Sequence, residues 1–334
     1  MMEKRFIRGI DNAVRVCMGV TASDRVFVLT DRATARIGEA LCAAAAATGA
    51  TAEVTALENY GKRPFRALPP ALREDLKGFA PTVTFFAARG EPGEIAFRIP
   101  LLLLLTDELH VRHGHMIGID ERLILEGMQA DYVEVARLTN AVCDRARRAS
   151  TLRATSPGGT DLTVRFSPRL RWKACTGLYH EQGSWGNLPE GEVFTCPERV
   201  DGVLVGEVIG DYFSEKYGVL RSPVVVRIEN SRVRAVECAE HGVAAELEGY
   251  LRSTENGDRA GEFAIGTNVA LTALSGNLLQ DEKIPGVHIA FGNPYPEETG
   301  ADWSATVHVD VVSARGDIDL DGQLLLRAGR FVGL

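Results

Sequence analysis

Five residues with the chemistry of metal ligands lie in short apolar or glycine-rich runs of the second half of the chain. They are Glu192, Glu262, His288, His308 and Asp310. A charged side chain in a segment that should be buried is costly unless it is paired or binds a metal. One metal site would account for all five residues, so we expect them to meet around divalent cations.

His308 and Asp310 have the most constrained geometry, because they are two residues apart in the strand-like run ATVHVDVV. Residues i and i+2 of a strand project from the same face. The imidazole and the carboxylate therefore point one way and the intervening valines the other. By itself such a pair also fits a buried, hydrogen-bonded couple, and the interpretation as ligands depends on the acids and the histidine in the neighbouring runs.

The donor set indicates which metals would bind. Imidazoles and carboxylates without thiolates suit zinc, cobalt, manganese or iron(II). With Glu282 as a further candidate, three or four carboxylates against two imidazoles would neutralise more than one cation, which favours two ions about 3.5 to 4 Å apart. Such a pair would bind a bridging water, lower its pKa toward about 7, and leave a carboxylate as general base.

Other catalytic patterns are missing from the sequence or incomplete. No GxSxG elbow, HExxH motif, P-loop or GxGxxG turn is present. Cys196 has no neighbour in sequence that would lower a thiol pKa, and a packing role is expected. Three of the seven histidines fall within residues 110–120, without acidic partners at matching spacing, which favours a surface or packing role. Tyr295 in a proline-rich loop is either an ordinary loop aromatic or part of the site.

Strands and helices alternate in the first half of the chain. The run RVFVLTD (25–31) predicts a buried strand, residues 33–49 an alanine-rich helix, residues 51–57 a second strand and residues 81–88 a third. A helix begins between the last two strands at the Pro69-Pro70 pair. This alternation predicts an α/β lobe with a parallel sheet.

The composition changes near residue 150, from alanine-rich helix to alternating strands. Hairpins are predicted with turns at 157–159, at Asn230 and at 321–322, and one clear helix at 241–253. We expect two domains: an α/β N-terminal domain, residues 1–149, and an α+β catalytic domain, residues 150–334. The mostly antiparallel sheet of the second domain would carry the metal site.

Bulk composition narrows the class of partner and the compartment. The 334 residues carry 45 acidic and 37 basic side chains, which argues against a surface that follows nucleic acid or anionic lipid. The six cysteines are scattered without a CxxC pair, as in a protein of a reducing compartment. The N-terminus lacks the pattern of a signal peptide, and the leucine-rich run at 99–106 is shorter than the roughly 20 residues that span a bilayer. We expect a cytoplasmic protein with a small substrate.

Four segments of the second half of the chain resemble a known family. The segments NLPEGEVFT, GEFAIGTN, DEKIPGVHIAFGNPY and HVD, in this order, resemble the aminopeptidase T family of metallopeptidases over about residues 185–312. The resemblance implies a dimeric, two-lobed exopeptidase with two zinc or cobalt ions in the C-terminal lobe. The positions that match the metal ligands are Glu192, Glu262, His288, His308 and Asp310.

The same resemblance assigns further roles. Tyr295 matches an active-site tyrosine that could donate a hydrogen bond to the oxyanion of a tetrahedral intermediate. Glu282 matches a further acidic ligand only after a shift of one residue. Asn187 is either a turn residue or a donor to substrate, and with Asn268 it completes the candidate substrate-binding residues.

The expected activity is removal of N-terminal amino acids from short peptides, with Glu192 or Glu262 moving the proton. A more distant resemblance leads to an alternative from another class. The 2,5-dihydroxypyridine dioxygenases cleave an aromatic ring with one iron(II) held by two histidines and an aspartate. By that resemblance, the Glu262 position is a histidine in the dioxygenase. A hydrolase of another amide is the third possibility.

Overall fold

The computed structural model of this chain describes residues 2–210 and 212–334. Its α-helices are α1 (Met2–Asp11), α2 (Ala35–Ala46), α3 (Pro70–Phe79), α4 (Ile95–Leu103), α5 (Glu121–Leu125), α6 (Tyr132–Ala146), α7 (Tyr212–Tyr217), α8 (Val243–Leu251), α9 (Leu278–Asp281) and α10 (Pro296–Thr299). Two of these helices continue as π-helix, α1 over Asn12–Cys17 and α4 over Leu104–Glu108. The leucine-rich run is therefore helical.

The strands are, in chain order, β1 (Arg25–Thr30), β2 (Thr51–Ala56), β3 (Val83–Ala87), β4 (Arg112–His115), β5 (Thr151–Thr155), β6 (Asp161–Arg165), β7 (Lys173–Cys175), β8 (Trp185–Asn187), β9 (Glu192–Thr195), β10 (Arg199–Gly206), β11 (Val208–Ile209), β12 (Val224–Glu229), β13 (Arg232–Glu237), β14 (Ala260–Gly266), β15 (Gly286–Gly292), β16 (His308–Ala314), β17 (Asp317–Leu320), β18 (Gln323–Arg327) and β19 (Arg330–Phe331).

The chain forms two compact units. The first comprises residues 1–134 and 177–190, and the second comprises residues 135–176 and 191–334. The predicted domains, 1–149 and 150–334, stay a prediction beside these units, which assign most of α6 to the second unit and the segment with β8 to the first. The composition of residues 177–190 does not indicate that this segment belongs to the first unit.

The first unit contains a five-stranded parallel sheet in the order β2-β1-β3-β4-β8. In α2 the apolar side chains recur at helical spacing, at Ile37, Leu41 and Ala45, and these side chains are buried. Gly38 lets this helix approach β1 closely, because a Cβ at that position would lie only 2.6 Å from the Cβ of Thr30. Alternating strands and helices thus give the predicted parallel sheet.

The histidine-rich segment contains the fourth strand of this sheet. His113 is buried on β4, and its Nδ1 lies 2.8 Å from the Thr84 hydroxyl on β3. Burial lowers the pKa of His113 to about 3, so the imidazole is neutral. His113 is a packed strand residue of the sheet rather than a surface residue.

The second unit contains two antiparallel sheets. The eight-stranded sheet has the order β13-β12-β10-β6-β5-β17-β18-β19, and the six-stranded sheet has the order β11-β16-β15-β14-β9-β7. All three predicted hairpins are present, as the pairs β5–β6, β12–β13 and β17–β18. The fold class is therefore confirmed to the extent that one parallel sheet and mostly antiparallel sheets are both present.

The two antiparallel sheets share one apolar core. Leu152, Val164 and Val200 contribute to it from the eight-stranded sheet. From the six-stranded sheet, alternate residues contribute, such as Phe263 on β14 and Ile289 on β15. Side chains alternate between the two faces of a strand. The residues on either side of Phe263 in β14, and of Ile289 in β15, therefore project from the other face of the six-stranded sheet.

Candidate metal centre

The predicted ligands lie on that other face. They come from neighbouring strands: Glu192 on β9, Glu262 on β14, His288 on β15, and His308 and Asp310 on β16. Each is adjacent in sequence to a buried apolar residue that enters the shared core. The alternation of the strands therefore collects all five polar side chains on one face, as the pattern around His308 and Asp310 predicts.

The register of the strands leaves space where these side chains meet. Ala290 on β15 pairs with Glu262 on β14 and with Asp310 on β16, so a methyl group separates the two carboxylates in one row of the sheet. In the next row His288 pairs with Ala264. Small residues at these two positions let the carboxylates and the imidazole converge above the sheet.

His288 lies at the centre of the cluster. Its Nε2 is 3.2 Å from Glu262 Oε1, 3.6 Å from Glu192 Oε2 and 3.7 Å from Asp310 Oδ1. Ligand atoms about 2.0 to 2.2 Å from a tetrahedral metal ion are separated by about 3.3 to 3.6 Å. The observed separations therefore fit donors that surround a single ion. Glu262, His288 and Asp310 offer atoms that all lie within 4.8 Å of one another.

Two carboxylate oxygens of this cluster support the interpretation that it can bind a metal ion. Glu192 Oε2 and Asp310 Oδ1 are buried and have no hydrogen-bond partner within the described part of the chain. Buried carboxylate oxygens are nearly always hydrogen-bonded or bound to a metal. Since both oxygens face His288 at ion-pair distance, the residues present fit a divalent cation.

His308 is held in an orientation suited to a ligand. Its Nδ1 lies 2.9 Å from the backbone carbonyl of Asn293, which accepts a hydrogen bond from the Nδ1–H tautomer. The other ring nitrogen, Nε2, lies 3.6 Å from Asp310 Oδ2. Such a bond from the second ring nitrogen to a carbonyl is the usual support of a metal-binding histidine.

A buried lysine belongs to the same cluster, and the ligand pattern did not predict it. Lys283 Nζ is 2.6 Å from Glu192 Oε1 and 2.7 Å from Glu282 Oε1, and its side chain is 1% exposed. Glu282, the least certain predicted ligand, thus bonds to the lysine. The available signal was a lysine within the run DEKIPGVHIAFG, which enters a buried strand.

The electrostatics of the cluster reflect its excess of negative charge. Burial alone would lower the pKa of His288, but the hydrogen bond to Glu262 and the charges of Glu192 and Asp310 raise it to about 9. Burial raises the pKa of Glu282 to about 8, although the Lys283 ammonium opposes the change. Without a metal the cluster therefore favours bound protons.

Tyr295 lies beside His308, with the two ring centroids 4.7 Å apart. The residue has φ of 50°, precedes α10, and is 40% exposed as a whole. Burial of its hydroxyl and the negative charges of Glu262 and Asp310 raise the pKa of Tyr295 well above its ordinary value of 10. The phenol therefore stays protonated and able to donate a hydrogen bond.

The two candidate substrate-binding asparagines lie in different units. Asn268 is buried after β14, and its backbone N–H donates to the carbonyl of Lys283 at 3.0 Å. That contact supports the loop that carries the lysine. Asn187 ends β8 of the first unit, and its carbonyl accepts a hydrogen bond from the Tyr179 hydroxyl. Their predicted role in substrate binding stays a prediction.

These features define a class of protein with one parallel α/β unit and one antiparallel unit whose sheet face presents a buried set of candidate metal ligands. Residues 5–265 match the family model of the 2,5-dihydroxypyridine 5,6-dioxygenases, NicX, and the chain belongs to that family. Residues 218–316 also match the model of the crocagin biosynthetic proteins CgnE/B.

Two solved structures are similar in fold. Wild-type AmpT from Thermus thermophilus is 21% identical, with a TM-score of 0.73 over 99% of this chain and 100% of the other. The 2,5-dihydroxypyridine dioxygenase from Pseudomonas putida KT2440 is 17% identical, with a TM-score of 0.67 over 98% and 97% of the two chains. Both resemblances predicted from the motifs are confirmed. No protein of curated function matches the chain in sequence.

No helix within residues 2–210 and 212–334 combines the length and the apolar character needed to cross a membrane.

Proposed function

We propose that this chain is a metal-dependent hydrolase that removes the N-terminal amino acid from short peptides. The observation that supports this function is the number of carboxylates. Glu192, Glu262 and Asp310 all lie within 3.7 Å of His288 Nε2. An iron(II) dioxygenase centre of the two-histidine, one-carboxylate type needs only one of them, whereas hydrolysis uses additional carboxylates as ligands and as a base.

A divalent ion, when bound, would act as a Lewis acid and lower the pKa of a bound water. Zinc and cobalt fit the imidazole and carboxylate donors, and manganese also suits them. The residues that would hold it are Glu262, His288 and Asp310, with His308 oriented toward Asp310 by its bond to Asn293.

The remaining groups of the site would bind the substrate and move a proton. Lys283 fixes one oxygen of Glu192, and the other oxygen has no hydrogen-bond donor within the described residues, so Glu192 can accept a proton from the attacking water. The excess negative charge would attract the free ammonium of a peptide. The Tyr295 phenol would then donate to the oxyanion that develops on the scissile carbonyl.

A second function has its own support. The chain belongs to the family of 2,5-dihydroxypyridine 5,6-dioxygenases. His288, His308 and Asp310 supply two imidazoles and one carboxylate, the ligand set of non-haem iron(II) oxygenases. We therefore keep ring-cleaving dioxygenation as the alternative, with Glu262 as the residue that separates this chain from the histidine expected there by resemblance.

One experiment separates the two functions. Purified protein would be analysed for metal content and then assayed for hydrolysis of aminoacyl anilides with zinc or cobalt, and for oxygen uptake with iron(II) and 2,5-dihydroxypyridine. We expect hydrolysis. Oxygen uptake with inert anilides would replace the proposal with its alternative.

The His308→Ala variant tests the assignment of the site. We expect loss of metal binding and of turnover together, because both the imidazole and its bond to Asn293 disappear. The matched control is His241→Ala, since His241 is exposed outside the cluster. Full activity of the His308→Ala enzyme would refute the proposed site. The resemblance to aminopeptidase T favours a homodimer that acts on a small peptide or another small molecule, and light scattering of the purified protein would test the assembly. The scattered cysteines without a CxxC pair favour a cytoplasmic location.

A further inference from the structure

We infer that the Lys283 ammonium takes the place of a second cation, so that the centre binds one divalent ion per chain rather than two. The inference rests on the proposed function in that it requires the cluster to bind a metal. It concerns the number of ions, which can be measured without any assay of turnover.

The contacts of Lys283 are the first support. Its Nζ lies 2.6 Å from Glu192 Oε1 and 2.7 Å from Glu282 Oε1. Lysine is almost never fully buried unless it is paired, and this side chain is 1% exposed. The ammonium is therefore fixed between two carboxylates at the edge of the cluster.

The donors that remain are the second support. A second ion would lie about 3.5 to 4 Å from the first and would need carboxylate oxygens of its own. Glu192 and Glu282 are the acids of the cluster outside the group formed by Glu262, His288 and Asp310. Each of them already bonds to Nζ through its Oε1. A divalent ion shared by these two acids would therefore lie close to the ammonium and would be repelled by it.

The balance of charge is the third support. Metal-binding histidines are neutral, so the charged groups are Lys283 and four carboxylates, those of Glu192, Glu262, Glu282 and Asp310. Without the lysine, four carboxylates would balance two divalent ions. With it, even the fully ionised cluster would carry a net positive charge beside two ions, whereas one ion leaves no excess of positive charge. The two-ion expectation from the acids alone omits this lysine.

The test counts ions in the full-length protein. Metal-free protein would be dialysed against Mn²⁺ or Zn²⁺ and the bound metal measured per chain. We expect one ion in the wild type and in Lys283→Arg, which keeps the charge. In Lys283→Gln, which removes the charge at similar length, we expect a second ion, doubling the stoichiometry. Electron paramagnetic resonance of the Mn²⁺ forms gives a second readout, with an isolated ion in the wild type and an exchange-coupled pair in Lys283→Gln.

The possible results separate the inference from the proposed function. Two ions in the wild type, or an exchange-coupled Mn²⁺ signal, would overturn the role of Lys283 and leave the hydrolase proposal standing. No bound ion with either metal would overturn both. One ion in a folded Lys283→Gln variant would show that the ammonium does not exclude the second ion, which also overturns the inference. If that variant does not fold, the wild-type spectrum alone decides.

Discussion

Two buried clusters of charged side chains, one in each compact unit, differ in how completely their oxygens are paired. In the first unit Arg63 donates to Asp31 and to both carboxylate oxygens of Glu94. Asp31 Oδ1 also accepts from Thr34, so all four oxygens of the two acids have donors. In the candidate metal centre of the second unit, two buried carboxylate oxygens have none within the described residues. The carboxylate oxygens of the first cluster are thus all paired, whereas those of the second are paired only in part.

The pKa values of the buried acids also differ between the two clusters. Burial would raise the pKa of Asp31, but bonds from Arg89, Thr34 and Arg63 lower it. Burial would likewise raise the pKa of Glu94, and the bonds and charge of Arg63 lower it. In the second cluster the acids differ: the hydrogen bond from His288 and nearby cationic groups lower the pKa of Glu262 against the effect of burial, whereas burial raises the pKa of Glu282 to about 8. Burial of acids is therefore compatible with a purely structural role where donors are sufficient, and indicates a binding site where they are not.

The largest expected effect is on the complete cluster. Arg63→Met leaves two buried carboxylates without their cation, which typically costs about 3 to 5 kcal/mol of stability. Urea unfolding of the variant and the wild type in the presence of a chelator measures the change. The control is Arg153→Met, because the pair of Arg153 with Asp161 is exposed to solvent and such pairs contribute little to stability. Similar losses in the two variants would remove the distinction between the clusters.

The next prediction compares one acid from each cluster. Without metal, Asp31→Asn should destabilise the protein by about 1 to 3 kcal/mol, because it breaks charge-assisted bonds to buried donors. Asp310→Asn should be neutral or stabilise the metal-free protein by up to about 1 kcal/mol, since it relieves repulsion among carboxylates while weakening the attraction to His288.

Addition of metal should make the wild type more stable than Asp310→Asn, the reverse of the metal-free order. An ion at about 100 times its Kd stabilises a folded protein by about 2.7 kcal/mol, and this gain should appear in the wild type and in Asp31→Asn but not in Asp310→Asn. Thermal unfolding with and without Zn²⁺ measures it. An equal gain in Asp310→Asn would remove Asp310 from the ligands.

The sequence predicted the face of the sheet that carries the cluster, for a physical reason. Strand alternation alone decides that His308 and Asp310 project together, and the same alternation holds around Glu262 and His288. It also predicted the hairpins, because their turns are local. Residue types were sufficient wherever one strand or one turn determines the geometry.

Contacts between distant segments could not be predicted in the same way. Lys283 enters the cluster from the turn between α9 and β15, and nothing in its spacing shows that it bonds Glu192, 91 residues earlier. The residue types of β4 do not indicate a strand, because glycine is depleted in strands, and β4 pairs with β8 about 70 residues later. The proposed number of metal ions rests on such a contact, that between Lys283 and Glu192.

The smallest expected effect is the response of the first cluster to acid. The folded-state pKa values of Asp31 and Glu94 are lowered, so these groups are ionised in the folded protein at pH values where the unfolded chain, with ordinary values of about 3.9 and 4.3, binds protons. Their contribution to stability is therefore present above about pH 4 and is lost as the pH falls through the folded-state values.

Arg63→Met should change this profile chiefly through Glu94, because Arg63 supplies the main bond and the charge that lower the pKa of Glu94, whereas Asp31 keeps its bonds from Arg89 and Thr34. The variant should lose part of the rise in stability with pH below about pH 4. Urea midpoints measured from pH 3 to pH 7 give the comparison, with Arg153→Met expected to follow the wild type. A profile of Arg63→Met parallel to that of the wild type would mean that Arg63 does not lower the pKa of Glu94.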